Sequence, residues 1–134
     1  MPLENHQDRA VLVLNPGEKD AKLIASLLEK VGLDVMHASN TNDALDLFSG
    51  PAQSARLLVI DEAVSPASMP AFLNCVRSLD PGIRILLVSG REDFDPSEPW
   101  VESTTHSFLM KPFRRAKFLA SVLQLTGEPL VRTA

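Results

Sequence analysis

Short apolar runs alternate along this chain with segments whose apolar residues recur at helical spacing. Residues 10–14, 57–60 and 85–88 contain only aliphatic side chains. Runs of this length are typical of strands that are covered on both faces. Because strands and helices alternate, we predict an α/β fold with right-handed crossovers and a parallel sheet.

Five strand–helix units account for residues 10–127. The more mixed segments 33–39 and 106–110 supply the second and fifth strands, and two prolines within 91–104 predict a short or irregular fourth helix. The other helices are predicted within 18–32, 39–50, 66–80 and 113–127, with core faces that include Leu23, Ile24, Leu27, Leu28 and Val31 in the first helix and Met69, Phe72, Leu73, Val76 and Leu79 in the third.

The position of each strand follows from its polarity. Purely apolar strands belong in the centre of a parallel sheet, and the mixed strands suit its edges. These assignments give a doubly wound five-stranded parallel sheet of flavodoxin-like order 2-1-3-4-5, with helices on both faces. In this winding, the ligand crevice lies beyond the carboxyl ends of strands 1 and 3.

The size and composition favour one globular domain. The 134 residues are 45% hydrophobic, which is enough to bury a core of ordinary size. We predict an N-terminal extension at residues 1–9, a domain at 10–127 and a C-terminal tail at 128–134.

The charge pattern argues against several partners. The net charge of -4 comes from 13 scattered basic and 17 acidic residues, so nucleic acid is not an expected ligand. Neither a membrane span nor the apolar core of a signal peptide is present, which predicts a cytoplasmic protein without a membrane partner. The single cysteine excludes an internal disulfide, and the histidines show no zinc-binding spacing.

Polar side chains follow four of the predicted strands directly. Asn15, Asp61, Ser89 and Lys111 come after strands 1, 3, 4 and 5. The carboxyl ends of parallel strands meet at one edge, so Lys111 can serve as the countercharge of Asp61. We therefore interpret Asp61 as a reactive group on a rigid strand end.

The strand ends LLVID, ILLVSG and FLMKPF resemble the signature segments of the bacterial response-regulator receiver domain, and the resemblance covers nearly the whole chain. It implies that Asp61 accepts a phosphoryl group from a phosphohistidine on a histidine kinase or a histidine phosphotransfer protein. It also implies that Ser89 binds that group and that Lys111 pairs with Asp61 and then with phosphate. Pro112 follows Lys111 as in the family, where this peptide bond is often cis.

The resemblance also indicates how a signal would leave the domain. Phe108 stands where the family has an aromatic whose rotation accompanies switching, although ordinary packing in an edge strand explains it equally well. A downstream protein would read helix 4, strand 5 and helix 5, and a homodimer could use the same surface. The phrases ILLVSG and FLMKPF are also similar to receivers fused to hybrid histidine kinases. No enzymatic activity is expected beyond gain and loss of the phosphoryl group.

The segment after strand 1 departs from the family pattern. Receivers usually have two acidic residues there that hold Mg²⁺, whereas this chain has Asn15 and Pro16. Asn15 offers a neutral amide oxygen, so we expect a weak Mg²⁺ site that uses Asp61, the backbone carbonyl of Ala63, Asn15 and at most Glu18. The favoured role for Glu18 and Asp20 is to place negative charge near the positive, N-terminal end of the helix dipole.

Pro66 lies one place later than the usual proline of the family, and the usual glycine is missing. These departures leave a second interpretation open, a degenerate pseudo-receiver that binds proteins without phosphorylation. A third interpretation is a phosphohydrolase or a flavin or nucleotide carrier. The nucleotide carrier is disfavoured because the segment NPGEKD has neither a Gly-x-Gly-x-x-Gly run nor a Gly-Lys-Ser/Thr ending. The phosphohydrolase is disfavoured because dehalogenase-like phosphatases have Asp-x-Asp after the first strand, whereas Asp61 follows the third strand and Ala63 stands two places after it.

Overall fold

The computed structural model describes residues 10–50, 55–64 and 69–127. Five parallel strands form one sheet of order β2-β1-β3-β4-β5, as the polarity of the strands predicts. The predictions for residues 1–9, Pro66 and 128–134 lie outside the described residues. The elements are β1 (Ala10–Leu14), α1 (Glu18–Lys30), β2 (Asp34–Ala38), α2 (Thr41–Phe48), β3 (Leu57–Asp61), a 3₁₀ turn (Glu62–Val64), α3 (Met69–Leu79), β4 (Arg84–Ser89), α4 (Pro99–Thr104), β5 (Ser107–Met110) and α5 (Arg115–Thr126).

Side-chain alternation within the strands builds a core on each face of the sheet. Val11 and Val13 of β1 face α1 and α5, whereas Leu12 and Leu14 face α2, α3 and α4. All five residues of β1 and of β3 are buried. The sheet is therefore doubly wound, with helices on both faces.

The helix ends follow the sequence signals. The Asn40 side chain accepts a hydrogen bond of 2.8 Å from the backbone N–H of Asp43 and so caps α2. Gly32 and Gly127 lie just beyond α1 and α5 with φ of 89° and 72°, a conformation that glycine adopts without strain. The fourth helix, α4, has only six residues, as the prolines predict.

The prediction of burial in the core was wrong for two residues. Leu23 and Leu79 are 54% and 55% exposed. Leu23 lies at the margin of the apolar stripe of α1, and Leu79 is the last residue of α3, where the helix has passed the edge of the core. None of the helices within the described residues combines the length and the hydropathy required of a membrane-spanning segment.

Candidate functional site

The structure brings Asp61 and Lys111 together at the carboxyl edge of the sheet. Asp61 is the last residue of β3, and Lys111 directly follows β5. The ammonium Nζ of Lys111 lies 2.5 Å from Oδ2 of Asp61, whose side chain is only 5% exposed. Two strands that start far apart in the sequence thus fix a charge-assisted hydrogen bond at their ends.

Both carboxylate oxygens of Asp61 already bind donors. The backbone N–H of Ala63 donates to Oδ1 at 2.8 Å, and Nδ2 of Asn15 lies 3.4 Å from Oδ2, beside Lys111. The side chain of Asp61 is therefore fixed in orientation by donors on both of its oxygens.

A second carboxylate holds Lys111 from the other side. Oδ2 of Asp20, in the first turn of α1, lies 3.3 Å from the Lys111 ammonium. Partial burial lowers the pKa of Lys111, but Asp61 and Asp20 together outweigh that effect, so the pKa is raised above 10.5. Asp20 therefore does more than supply the charge at the start of the helix that the sequence favours, because it positions the ammonium beside Asp61.

Ser89 meets a partner that the sequence did not indicate. Its hydroxyl donates to Oε1 of Glu62 at 2.7 Å, and Oε2 of Glu62 lies 3.0 Å from a guanidinium nitrogen of Arg91. The Glu62 side chain is only 4% exposed. The signal in the sequence is proximity to the strand ends. Glu62 directly follows Asp61, and Arg91 lies two residues after Ser89.

The donor set fits Mg²⁺ poorly. Oδ1 of Asn15 accepts the backbone N–H of Gly17 at 2.8 Å, so the amide nitrogen rather than the oxygen faces Asp61. The expected role of Asn15 as a weak Mg²⁺ ligand stays a prediction, although its oxygen already accepts a hydrogen bond from the backbone. Across the described ranges 10–50, 55–64 and 69–127, no three His, Cys, Asp or Glu side chains are grouped to hold a metal ion.

Glu18 pairs with a residue of its own helix. Its carboxylate is 81% exposed and pairs with Lys22 of the same helix at 3.6 Å. This arrangement matches the helix-start role rather than that of a metal ligand. In this structure Asp20, and not Glu18, is the α1 carboxylate that contacts Lys111.

Pro112 and Phe108 flank the lysine. The Lys111–Pro112 bond is cis, as the resemblance implies. Phe108 is 40% exposed, and its ring centroid lies 6.0 Å from that of Phe94. The contact with the buried ring of Phe94 fits packing in an edge strand, and the role of Phe108 as a switch aromatic stays a prediction.

Comparison with solved structures places this arrangement on a known fold. A receiver-domain protein from Clostridium thermocellum has a TM-score of 0.78 and 19% identity, with 88% of this chain and 94% of that chain covered. A response regulator receiver protein from Burkholderia phymatum has a TM-score of 0.76 and 20% identity, with 92% and 98% covered. NtrX from Brucella abortus also matches, with a TM-score of 0.78, 19% identity and 88% of this chain covered.

The chain spans only 26% of NtrX. No protein-family model and no curated protein matches the sequence. At 19% and 20% identity the structural likeness establishes the fold. The five-stranded sheet of this chain is thus the fold of response-regulator receiver domains.

Proposed function

We propose that the chain is a receiver module of two-component signalling in which Asp61 accepts a phosphoryl group from a phosphohistidine. The donor would be a histidine kinase or a histidine phosphotransfer protein. The observation that carries the proposal is the Lys111 ammonium, fixed 2.5 Å from a buried carboxylate that ends a central strand. A buried acid with a fixed cation beside it is well suited to phosphoryl transfer.

The transfer needs few protein groups. A carboxylate oxygen of Asp61 forms a bond to phosphorus while the bond between phosphorus and the imidazole nitrogen breaks, and the leaving imidazole takes up one proton. Lys111 then neutralises charge on the transferred oxygens, which is the main protein contribution in such reactions. Asp20 remains behind Lys111 and keeps the ammonium at the site after Asp61 has reacted.

Incubation with acetyl phosphate or a phosphorylated histidine donor tests this proposal. We expect an adduct of about 80 Da on the intact protein. The Asp61→Asn variant should form none, whereas Asp43→Asn, which alters an exposed carboxylate on α2, should react like the parent. An adduct of equal size and rate on the Asp61→Asn variant would assign the chemistry to another residue.

We propose that this pocket binds Mg²⁺ only weakly. Because Asn15 presents its amide nitrogen to Asp61, the pocket lacks the charge that a hard cation requires. Unit charges about 4 Å apart interact by roughly 4 kcal/mol at an effective dielectric constant of 20. We therefore expect Asn15→Asp to increase Mg²⁺ affinity at least tenfold in a calorimetric titration, whereas tight binding by the unaltered chain would contradict the proposal.

A phosphorylation-independent binding module is the second candidate. The observation in its favour is that Ser89, the hydroxyl expected to bind the phosphoryl group, already donates to Glu62. In either case we propose that a partner protein reads the surface of α4, β5 and α5, where Phe108 and Met110 are exposed, or that a homodimer forms there. If no donor yields an adduct with or without Mg²⁺, the second candidate replaces the first.

We also propose a cytoplasmic location, which the sequence predicts from its lack of a membrane span and of a signal peptide. A place within a hybrid histidine kinase is proposed from the resemblance of the segments ILLVSG and FLMKPF. Enzymatic activity beyond gain and loss of the phosphoryl group is not part of the proposal. Fractionation of cells that produce the protein from its own locus, with detection of both protein size and location, tests these parts together.

A further inference from the structure

Glu62 is a buried carboxylate that the proposed phosphoryl transfer does not use. It lies in the 3₁₀ turn that follows β3, next to Asp61. One oxygen accepts the Ser89 hydroxyl and the other pairs with the Arg91 guanidinium, at 2.7 Å and 3.0 Å. A hydroxyl and a guanidinium are the donors that proteins use to bind phosphate oxygens.

We propose that Ser89 and Arg91 form an oxyanion site that Glu62 fills from within the chain, and that a phosphate group binds there only after Glu62 has moved out. Binding of the free phosphate ion at this site does not depend on the proposed function. The effect of Glu62 on phosphorylation of Asp61 rests on the proposed function. In both cases the ligand class is the same, a tetrahedral oxyanion.

The hydrogen bonds of Ser89 leave no donor for a second anion. Its hydroxyl gives its proton to Glu62 and accepts the backbone N–H of Arg91 at 3.2 Å. Within the described part of the chain, no buried side-chain nitrogen or oxygen lacks a hydrogen-bond partner. The pocket is therefore satisfied while Glu62 is inside it. A phosphate group must replace the carboxylate to bind the Ser89 hydroxyl, because that hydroxyl has a single proton to donate and Glu62 accepts it.

The local backbone makes such an exchange feasible. Glu62–Val64 is a single 3₁₀ turn, and short 3₁₀ segments have poorer hydrogen-bond geometry than α-helices. The side chain of Arg91 is 47% exposed, and its guanidinium also lies 3.5 Å from the exposed carboxylate of Asp93. Arg91 can therefore follow an anion at the pocket mouth without being drawn out of the core.

Inorganic phosphate is the probe for the first test. Its affinity is measured by titration while the backbone amides of Gly90 and Arg91 are followed by NMR. We expect Glu62→Ala to bind phosphate at least fivefold more tightly than the parent chain, and the double variant Glu62→Ala/Ser89→Ala to lose that gain. Glu92→Ala is the matched control, because Glu92 is an exposed carboxylate in the same loop and its loss changes the net charge equally.

Three results would overturn the inference. They are an unchanged affinity in Glu62→Ala, a gain that survives Ser89→Ala, and an equal gain in Glu92→Ala. Glu62→Gln serves if the alanine variant does not fold, since the amide keeps the shape and can still accept the hydroxyl. A smaller gain in the same direction supports the inference, and no gain in Glu62→Gln contradicts it.

The second test uses the covalent adduct. We expect Glu62→Gln to form the Asp61 adduct with acetyl phosphate severalfold faster than the parent chain, with Glu92→Gln unchanged. An equal rate in Glu62→Gln and the parent would contradict the role of Glu62 in phosphorylation. If neither chain forms an adduct, the proposed function fails, and the phosphate titration alone decides whether Glu62 fills an oxyanion site.

Discussion

The two ends of the sheet use charged side chains in different ways. At the carboxyl end, Asp61 and Glu62 each pair with a cationic side chain, Lys111 and Arg91. At the amino end, His106 and Arg56 each bind a backbone group. Nδ1 of His106 accepts the N–H of Ile85 at 3.0 Å, and Arg56 donates to the carbonyl of Thr126 at 2.5 Å.

The contacts to backbone groups serve the stability of the fold, whereas the ion pairs between side chains are available for chemistry. A side chain that completes the hydrogen bonding of a strand or of a helix end cannot leave without exposing an unsatisfied backbone group. An ion pair between two side chains can exchange one member for another anion or cation while the sheet stays intact. We therefore expect variants at the amino end to change stability and variants at the carboxyl end to change reactivity.

The largest effect should follow loss of the Lys111 ammonium. Lys111→Met keeps most of the stem but removes the charge beside Asp61, and loss of one fixed transition-state stabiliser costs about 100-fold to 1,000-fold in rate. The initial rate of adduct formation with acetyl phosphate measures the effect. Lys117→Met is the matched control, since Lys117 is an exposed lysine on α5. A decrease of less than about fivefold in Lys111→Met would mean that Lys111 has no part in the reaction.

An intermediate effect, on stability alone, should follow loss of Arg56. Its guanidinium satisfies a carbonyl in the last turn of α5, and removal of such a hydrogen bond costs about 1–2 kcal/mol. We expect Arg56→Ala to lower the free energy of unfolding in urea by this amount and to leave the rate of adduct formation unchanged. Arg84→Ala, a change to an exposed arginine at the start of β4, provides the comparison. A change in the rate of adduct formation without a change in the free energy of unfolding would contradict the expectation that the amino end governs stability and the carboxyl end governs reactivity.

The fold and half of the site could be predicted from the sequence because they depend on patterns that extend over several residues. The apolar runs of β1, β3 and β4 identify the centre of the sheet. The order of the strands then places the residues after them, Asp61 and Lys111, at one edge. The contact between these two residues needs no further information, since the strand ends fix both backbones.

The other half of the site depends on side-chain directions that no such pattern encodes. Glu62 is buried because the 3₁₀ turn after β3 directs it toward Ser89 and Arg91, whereas alternation alone says only that it leaves the strand on the face opposite to Asp61. The amide of Asn15 is likewise oriented by the N–H of Gly17. In both cases a local backbone turn decides which atom faces the pocket.

The smallest effect is a dependence of stability on pH at the amino end, through His106. Burial lowers the pKa of His106 below 6.5, and the positive charges of Arg84 and Arg77 lower it further. Because the folded pKa lies below the unfolded one, the unfolded chain takes up the proton first. The contribution of His106 is therefore complete above about pH 6.5 and is lost progressively as the pH falls from that value through the lower pKa of the folded state.

Urea unfolding between about pH 7.5 and pH 5 measures this loss. His106→Asn places an amide oxygen where Nδ1 accepts the Ile85 N–H, and that oxygen binds no proton in this range. The free energy of unfolding of the variant should therefore fall less steeply with acidification than that of the parent chain. Equal slopes would mean that His106 does not contribute to the acid sensitivity of the fold. His106 would then be a structural acceptor without a proton equilibrium of its own in this range.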